Sequence, residues 1–149
     1  MLGDDYFMDI AIAEAKAAAA EGEVPIGAVV VGNGRILGRG HNHTESLNDV
    51  TAHAEMLAIS AAAQTLGGKY LTGCTLYVTV EPCPMCAGAI GWAQIGRIVI
   101  GAPDPKRGYS TIVRPGTSPF HPRAEVCEGV REGECRALMQ DFFRKKRTK

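Results

Sequence analysis

Apolar residues recur at helical spacing through the alanine-rich stretch 6–20, with Phe7, Ile10 and Ala13 on successive turns and Gly22 to stop it. This predicts a first helix. Two short apolar runs follow, 26–31 and 35–40, joined by Gly32-Asn33-Gly34. An Asn-Gly pair between two such runs predicts a β-hairpin. The pattern then alternates: a helix over about 52–64, a strand over 75–80, a helix over 84–93 and a strand over 97–101. A short strand near 125–128 and a helix from about Glu132 complete it. Strands alternating with helices predict an α/β chain, here a three-layer α/β/α fold around a mixed five-stranded sheet.

Between 102 and 123 no periodicity holds, and Pro103, Pro105, Pro115, Pro119 and Pro122 fall in that span. Long ordered loops in compact domains often serve as lids or binding loops, although a permissive surface insertion would read the same way. At 149 residues and 46% hydrophobic content, residues 1–149 are expected to form one domain with its own core. The acidic start and the lack of any membrane-length apolar run predict a cytoplasmic protein with no membrane partner. Five cysteines, an odd number, fit a disulfide framework poorly. Cys74, Cys127 and Cys135 are expected to be reduced and to act as small apolar residues.

Chemistry concentrates in two segments, Thr51-Ala52-His53-Ala54-Glu55 and Glu81-Pro82-Cys83-Pro84-Met85-Cys86. Together they offer one imidazole, two thiols three residues apart at a helix start, and one spare carboxylate. Three protein ligands leave the fourth zinc position open to water or substrate, as catalytic sites do, so His53, Cys83 and Cys86 are expected to bind one Zn²⁺ per chain. Two thiolates and a neutral imidazole cancel the charge of zinc, so its water is acidified less than by three imidazoles. A carboxylate that takes the proton is then needed, which assigns Glu55 as general acid/base. A Cys-x-x-Cys pair alone could instead be a redox couple, and Cys74 as a fourth ligand would make the zinc structural. The redox reading leaves the His-x-Glu half unexplained. The expected helix puts His53 in its first turn with Asp49 or Thr51 as N-cap; residues two apart reach one cleft only if that helix end points at the metal.

Formal charges cancel, with 16 basic and 16 acidic residues. From Arg136 onward, however, Arg136, Arg144, Lys145, Lys146, Arg147 and Lys149 face Asp141 as the sole acid. Such a tail can attract phosphates, or it can be a solvated end that complements its own helix dipole.

These residues resemble the zinc-dependent cytidine and nucleobase deaminases, and within them most closely the tRNA adenosine deaminases. The likeness runs through Gly22-Glu23-Val24-Pro25-Ile26-Gly27-Ala28, Thr51 to Glu55, Leu76 to Cys83, Met85 to Ile90 and Ile95 to Val99. It implies hydrolytic conversion of adenosine to inosine at the anticodon wobble position, with Glu55 shuttling the proton. By the same resemblance Asn42 should hydrogen-bond the base edge. Ile26 and Val29 should stand near the apolar pocket wall, and Ala54 should join the substrate contacts. The tRNA branch is indicated by Ala102-Pro103-Asp104-Pro105-Lys106-Arg107-Gly108, which resembles its anticodon-contacting loop, and by the end of the last helix. Asp104, Lys106, Arg107 and Arg144 are therefore expected substrate contacts. The tRNA anticodon arm is the expected partner, and a homodimer the expected assembly. Cys83-Pro84-Met85-Cys86 and Ile90-Gly91-Trp92-Ala93 also resemble guanine deaminases, which keeps a free base as the alternative substrate. A zinc-stabilised RNA-binding module without turnover is a third reading.

Overall fold

The computed structural model describes residues 2–147; Lys149 of the basic tail lies outside them. The elements are α1 (Asp4–Ala20), β1 (Gly27–Gly32), β2 (Arg35–His41), α2 (Ala54–Leu66), β3 (Thr75–Val80), α3 (Pro84–Trp92), β4 (Arg97–Ala102), β5 (Glu125–Glu128) and α4 (Glu132–Arg147). One sheet takes the order β2-β1-β3-β4-β5. β1 is antiparallel to both β2 and β3, whereas β3, β4 and β5 are parallel, so the sheet is mixed as expected. The hairpin turn works as its sequence requires. Asn33 and Gly34 both take positive φ, 52° and 72°, the conformation that matches a tight turn to the twist of its strands.

Side-chain alternation along β1 divides the core in two. Ala28 and Val30 join Leu76, Ile98 and Ile100 against α2 and α3, while Val29 and Val31 join Tyr77 and Val99 against α1 and α4. This makes the three layers. On the first side the packing is close: a Cβ added at Gly38 would lie 2.5 Å from both Ala58 O and Ala62 N. Glycine in β2 thus lets α2 lie against the sheet, with Ala58 and Ala62 as the facing residues. Both α2 and α3 follow a strand and start near the same end of the sheet, where open α/β sheets commonly hold ligands. Among the described residues no helix is long and apolar enough to cross a membrane.

Candidate active site

His53 and Cys83 are the N-caps of α2 and α3, both with extended backbone (φ −80°, ψ 155° and φ −71°, ψ 168°). α2 therefore begins two residues later than expected, and neither Asp49 nor Thr51 caps it. Asp49 instead accepts from the Thr51 N–H (2.8 Å) and hydroxyl (2.7 Å) in a local turn. The cap comes from another element: Asn42, just beyond β2, accepts the Ala54 N–H at Oδ1 (2.9 Å). Because His53 lies outside the helix, its ring is free of the helical step that would have aimed it away from Glu55. Pro84 occupies the first turn of α3, where its missing N–H costs nothing, and Cys86 follows within that turn.

His53 Nδ1 stands 3.6 Å from Cys83 Sγ and 3.5 Å from Cys86 Sγ, and the three donor atoms lie within 4.8 Å of one another. Donors about 2.0–2.3 Å from one tetrahedral ion stand roughly 3.5 Å apart, so this set fits zinc. Cys74 packs in the core against α2 and α3, outside the cluster, which leaves three ligands and an open fourth position. All five cysteines are unpaired. The Cys86 thiol and the His53 ring hold the Cys83 thiol down to about 4, while Cys86 is pushed up because its S–H donates to the Cys83 thiolate and because it is buried. Such a donor pair gives up its remaining proton to a cation.

Glu55 is 3% exposed, and its Oε1 meets no hydrogen-bond donor among the described residues. Burial pushes its carboxyl up to about 7. A buried oxygen without a partner costs free energy and persists where chemistry uses it. Here it faces a cavity of about 1010 Å³ whose floor includes His53, Glu55 and Cys83. Asn42 and Ile26 line the same cavity. With Oδ1 committed to α2, the Asn42 amide can offer its NH₂ to a ligand.

The cavity rim carries Asp104, Lys106 and Arg107. Their loop hangs on Glu81, a buried carboxylate that accepts the Ser110 hydroxyl (2.7 Å) and N–H (3.0 Å) and the Asp104 N–H (3.2 Å). Gly108 passes so close that a Cβ there would meet Glu81 Oε2 at 2.1 Å. Asp104 in turn folds the loop, accepting the N–H groups of Lys106 (3.1 Å) and Arg107 (3.0 Å), so its carboxylate is held by the loop itself. The rest of the long loop forms a short 3-10 turn at Tyr109–Thr111 and then irregular turns that return Phe120 to the core against Tyr109.

Three expected contacts fall elsewhere. Val29 points to the opposite face of the sheet, buried against α1, because strand alternation sends it away from Ala28 and Val30. Ala54 is fully buried and does not line the cavity; its N–H serves Asn42. Arg144 also stays off the lining and pairs with Asp141 one turn back. The face of α4 that does line the cavity is Arg136, Met139, Gln140, Phe143, Lys146 and Arg147, spaced as a helical stripe. That spacing was present in the sequence. Nothing in the sequence near Glu81 signals that it holds a loop whose donors lie 23 and 29 residues away.

The profile of the cytidine and deoxycytidylate deaminase zinc-binding region matches residues 1–102, which contain His53, Glu55, Cys83 and Cys86. The tRNA-specific adenosine deaminase of Bacillus subtilis is 48% identical, across 100% of this chain and 94% of that protein. The chain belongs to the zinc-binding deaminase family, in its tRNA-specific adenosine deaminase branch. The corresponding protein of Agrobacterium fabrum is 47% identical, across 95% of each chain. A structure solved in a study of A-to-I editing by tRNA:A34 deaminases at the wobble position superposes with a TM-score of 0.81 at 44% identity, across 89% of this chain and 98% of that one. The guanine deaminase of Bacillus subtilis superposes less closely, with a TM-score of 0.69 at 37% identity across 74% of each chain. The His-Cys-Cys cluster falls within the segment matched by this zinc-binding region and could hold its metal ion, and the fold around it is the family's α/β sandwich.

Proposed function

We propose that this deaminase converts adenosine to inosine at the wobble position of a tRNA anticodon. In this reading one zinc per chain is held by His53, Cys83 and Cys86, and residues 1–149 act as a single catalytic domain. The observation that carries the reading is the unpartnered Glu55 oxygen on the floor of a cavity whose upper wall is cationic. Zinc, when bound, supplies Lewis-acid activation of water at its open position. The remaining work belongs to side chains. With its pKa pushed up to about 7, Glu55 is partly ionised near neutral pH, so its carboxylate form can accept a proton from water and return it to the departing amine. Asn42 donates from its amide to an acceptor on the base edge, and Ile26 covers an apolar part of the ring. Burial of Glu55 keeps bulk water from competing for that proton.

The walls favour a polynucleotide. Lys106 and Arg107 on one side, and Arg136, Lys146 and Arg147 on the other, bracket the cavity with positive charge. Phe143, 40% exposed in the same wall, offers a stacking plane. Recognition of single-stranded RNA combines these two elements: splayed bases on aromatic faces, and cations on phosphates. The cavity is also larger than one free base requires. Likeness to a guanine deaminase at 37% identity supports free guanine as the second reading. Ammonia release from an anticodon stem-loop carrying a wobble adenosine, compared with free guanine, adenosine, cytosine and cytidine, separates the two. The stem-loop should be the preferred substrate by kcat/KM; preference for guanine would establish the second reading, and no release from any of them a binding module.

A homodimer completes this proposal. Trp92 on α3 is 85% exposed, and Val50 (83%) and Ile112 (70%) are also uncovered. Large apolar side chains held this far into water favour burial against a partner surface. Sedimentation should give a dimer at micromolar concentration, and a monomer under active conditions would remove it. Free cysteines and a tRNA substrate support a cytoplasmic location.

A further inference from the structure

On the far side of Asn42 a second cluster of donors has formed. His41 and His43 flank Asn42, and extended backbone sends them to the side opposite it, so Asn42 and Thr44 line the large cavity while His41 and His43 line a separate open hollow of about 360 Å³. Glu21, the C-cap of α1, reaches the two imidazoles. Its carboxylate lies 3.2 Å from His41 Nε2 and 3.8 Å from His43 Nδ1, and the three donor atoms lie within 4.8 Å of one another. The two imidazoles lean together with ring centroids 4.4 Å apart. The geometry points to a second divalent-metal site, formed by Glu21, His41 and His43, that binds zinc or a similar first-row ion.

Its outer contacts are those a metal-bound histidine normally has. His41 Nδ1 donates to Glu14 Oε1 at 2.7 Å, which fixes the tautomer and leaves the Nε2 lone pair for a metal. Glu14 is oriented in turn by the Arg39 Nε–H at 2.6 Å. Charge also fits: Arg39 offsets Glu14, so two neutral imidazoles and the Glu21 carboxylate leave one negative charge to meet a divalent cation. Two nitrogens and one carboxylate suit zinc, cobalt or nickel in preference to magnesium or calcium, which take oxygen ligands. The accessibility of the donors, with side chains 14% (His41), 30% (His43) and 44% (Glu21) exposed, leaves room for water to complete the coordination. Without metal, His41 is protonated more readily than an ordinary histidine by its two carboxylate neighbours despite partial burial, so the ion would take the place of that proton. A bound ion would tie the end of α1 to the chain on both sides of Asn42. The site uses none of the residues assigned to deamination, and it stands or falls apart from that assignment.

The test uses tag-free full-length protein already carrying one zinc per chain, titrated with Co²⁺ by calorimetry and visible absorption. A second equivalent should bind and give a d–d band without thiolate charge-transfer intensity, since no cysteine takes part. His43→Ala and Glu21→Gln, both at partly exposed positions, should each abolish the second equivalent while retaining the first. Glu14→Gln, which leaves all three ligands in place, should weaken it about 10- to 100-fold. Absence of a second equivalent in the wild type, its persistence in His43→Ala and Glu21→Gln, or a thiolate band with the added ion would each overturn the proposal.

Discussion

The floor of the cavity and its supporting walls use the same buried carboxylate to opposite ends. Behind the wall that includes Thr44, Glu23 (1% exposed) accepts the N–H groups of Glu45 and Ser46 at 3.0 and 2.7 Å, and in the wall itself Glu81 (7% exposed) accepts three donors from the loop after β4. On the floor, Glu55 (3% exposed) keeps an oxygen with no partner. For Glu23 and Glu55 burial opposes ionisation alike, but the outcome differs. For Glu23 the two backbone donors outweigh burial and hold its carboxyl below the ordinary range, whereas for Glu55 burial dominates and lifts it to about 7. Burial therefore does not distinguish a structural carboxylate from a catalytic one; the donors around it do. Saturated carboxylates fix loops, and the unsaturated one keeps an oxygen open for the proton exchange proposed for Glu55.

The largest break in this picture is expected at the metal ligands. Cys83→Ala should lose its zinc and with it all measurable deamination, while Cys74→Ala keeps both, as read by elemental analysis and ammonia release. Retention of metal by the Cys83 variant would remove the ligand assignment. Next, Glu23→Gln exchanges a charged acceptor for a neutral one and should cost about 1–3 kcal/mol of stability by chemical denaturation. The sign with pH follows from a depressed folded pKa: the Glu23 contribution is fully present above its unfolded value, near 4.5, and disappears as pH falls through the lower folded value. The gap between wild type and variant should thus be constant from pH 6 to 8 and close in acid. A gap that widens below pH 4 would contradict it.

A smaller effect is expected at Glu81, where the walls meet the substrate. Glu81→Gln should loosen the turn that presents Lys106 and Arg107, raising KM for an anticodon stem-loop more than it lowers kcat, with zinc unchanged. Lost zinc would instead tie Glu81 to the floor. The smallest expected change is in salt dependence. Each phosphate contact on single-stranded RNA contributes about 0.7 to the slope of log affinity against log salt, so Lys106→Ala should flatten the binding slope by about that amount. An unchanged slope would place Lys106 away from the phosphates.

Local signals in the sequence carried much of this architecture. The Asn33-Gly34 pair announced the hairpin because only a turn with two positive φ angles joins such strands tightly. The metal cluster was legible because helix starts place Cys83 and Cys86 together whatever surrounds them. What escaped was long-range. α2 starts two residues later than its local pattern predicts because its cap, Asn42, comes from beyond β2, and nothing near Asp49 reveals that. Val29 was misplaced although the information was there: alternation in β1 puts it opposite Ala28 and Val30. A run of basic residues does not reveal helical phase, and in α4 the phase turns Arg136, Lys146 and Arg147 to the cavity and Arg144 away from its lining. Glu81 and Glu23 escaped for the reason Asn42 did, since a carboxylate that organises a distant loop has no signature in its own neighbourhood.

The contrast between saturated and unsaturated carboxylates is tested most directly by Glu55→Gln, which preserves shape and hydrogen-bonding size while removing the exchangeable proton. Inosine formation in an anticodon stem-loop should be followed under single-turnover conditions, with zinc content and thermal unfolding measured on the same sample. The account predicts one zinc per chain, no loss of thermal stability and a rate about 10² to 10⁴ lower than wild type. A variant that retains zinc and folding yet forms inosine at close to the wild-type rate would contradict it.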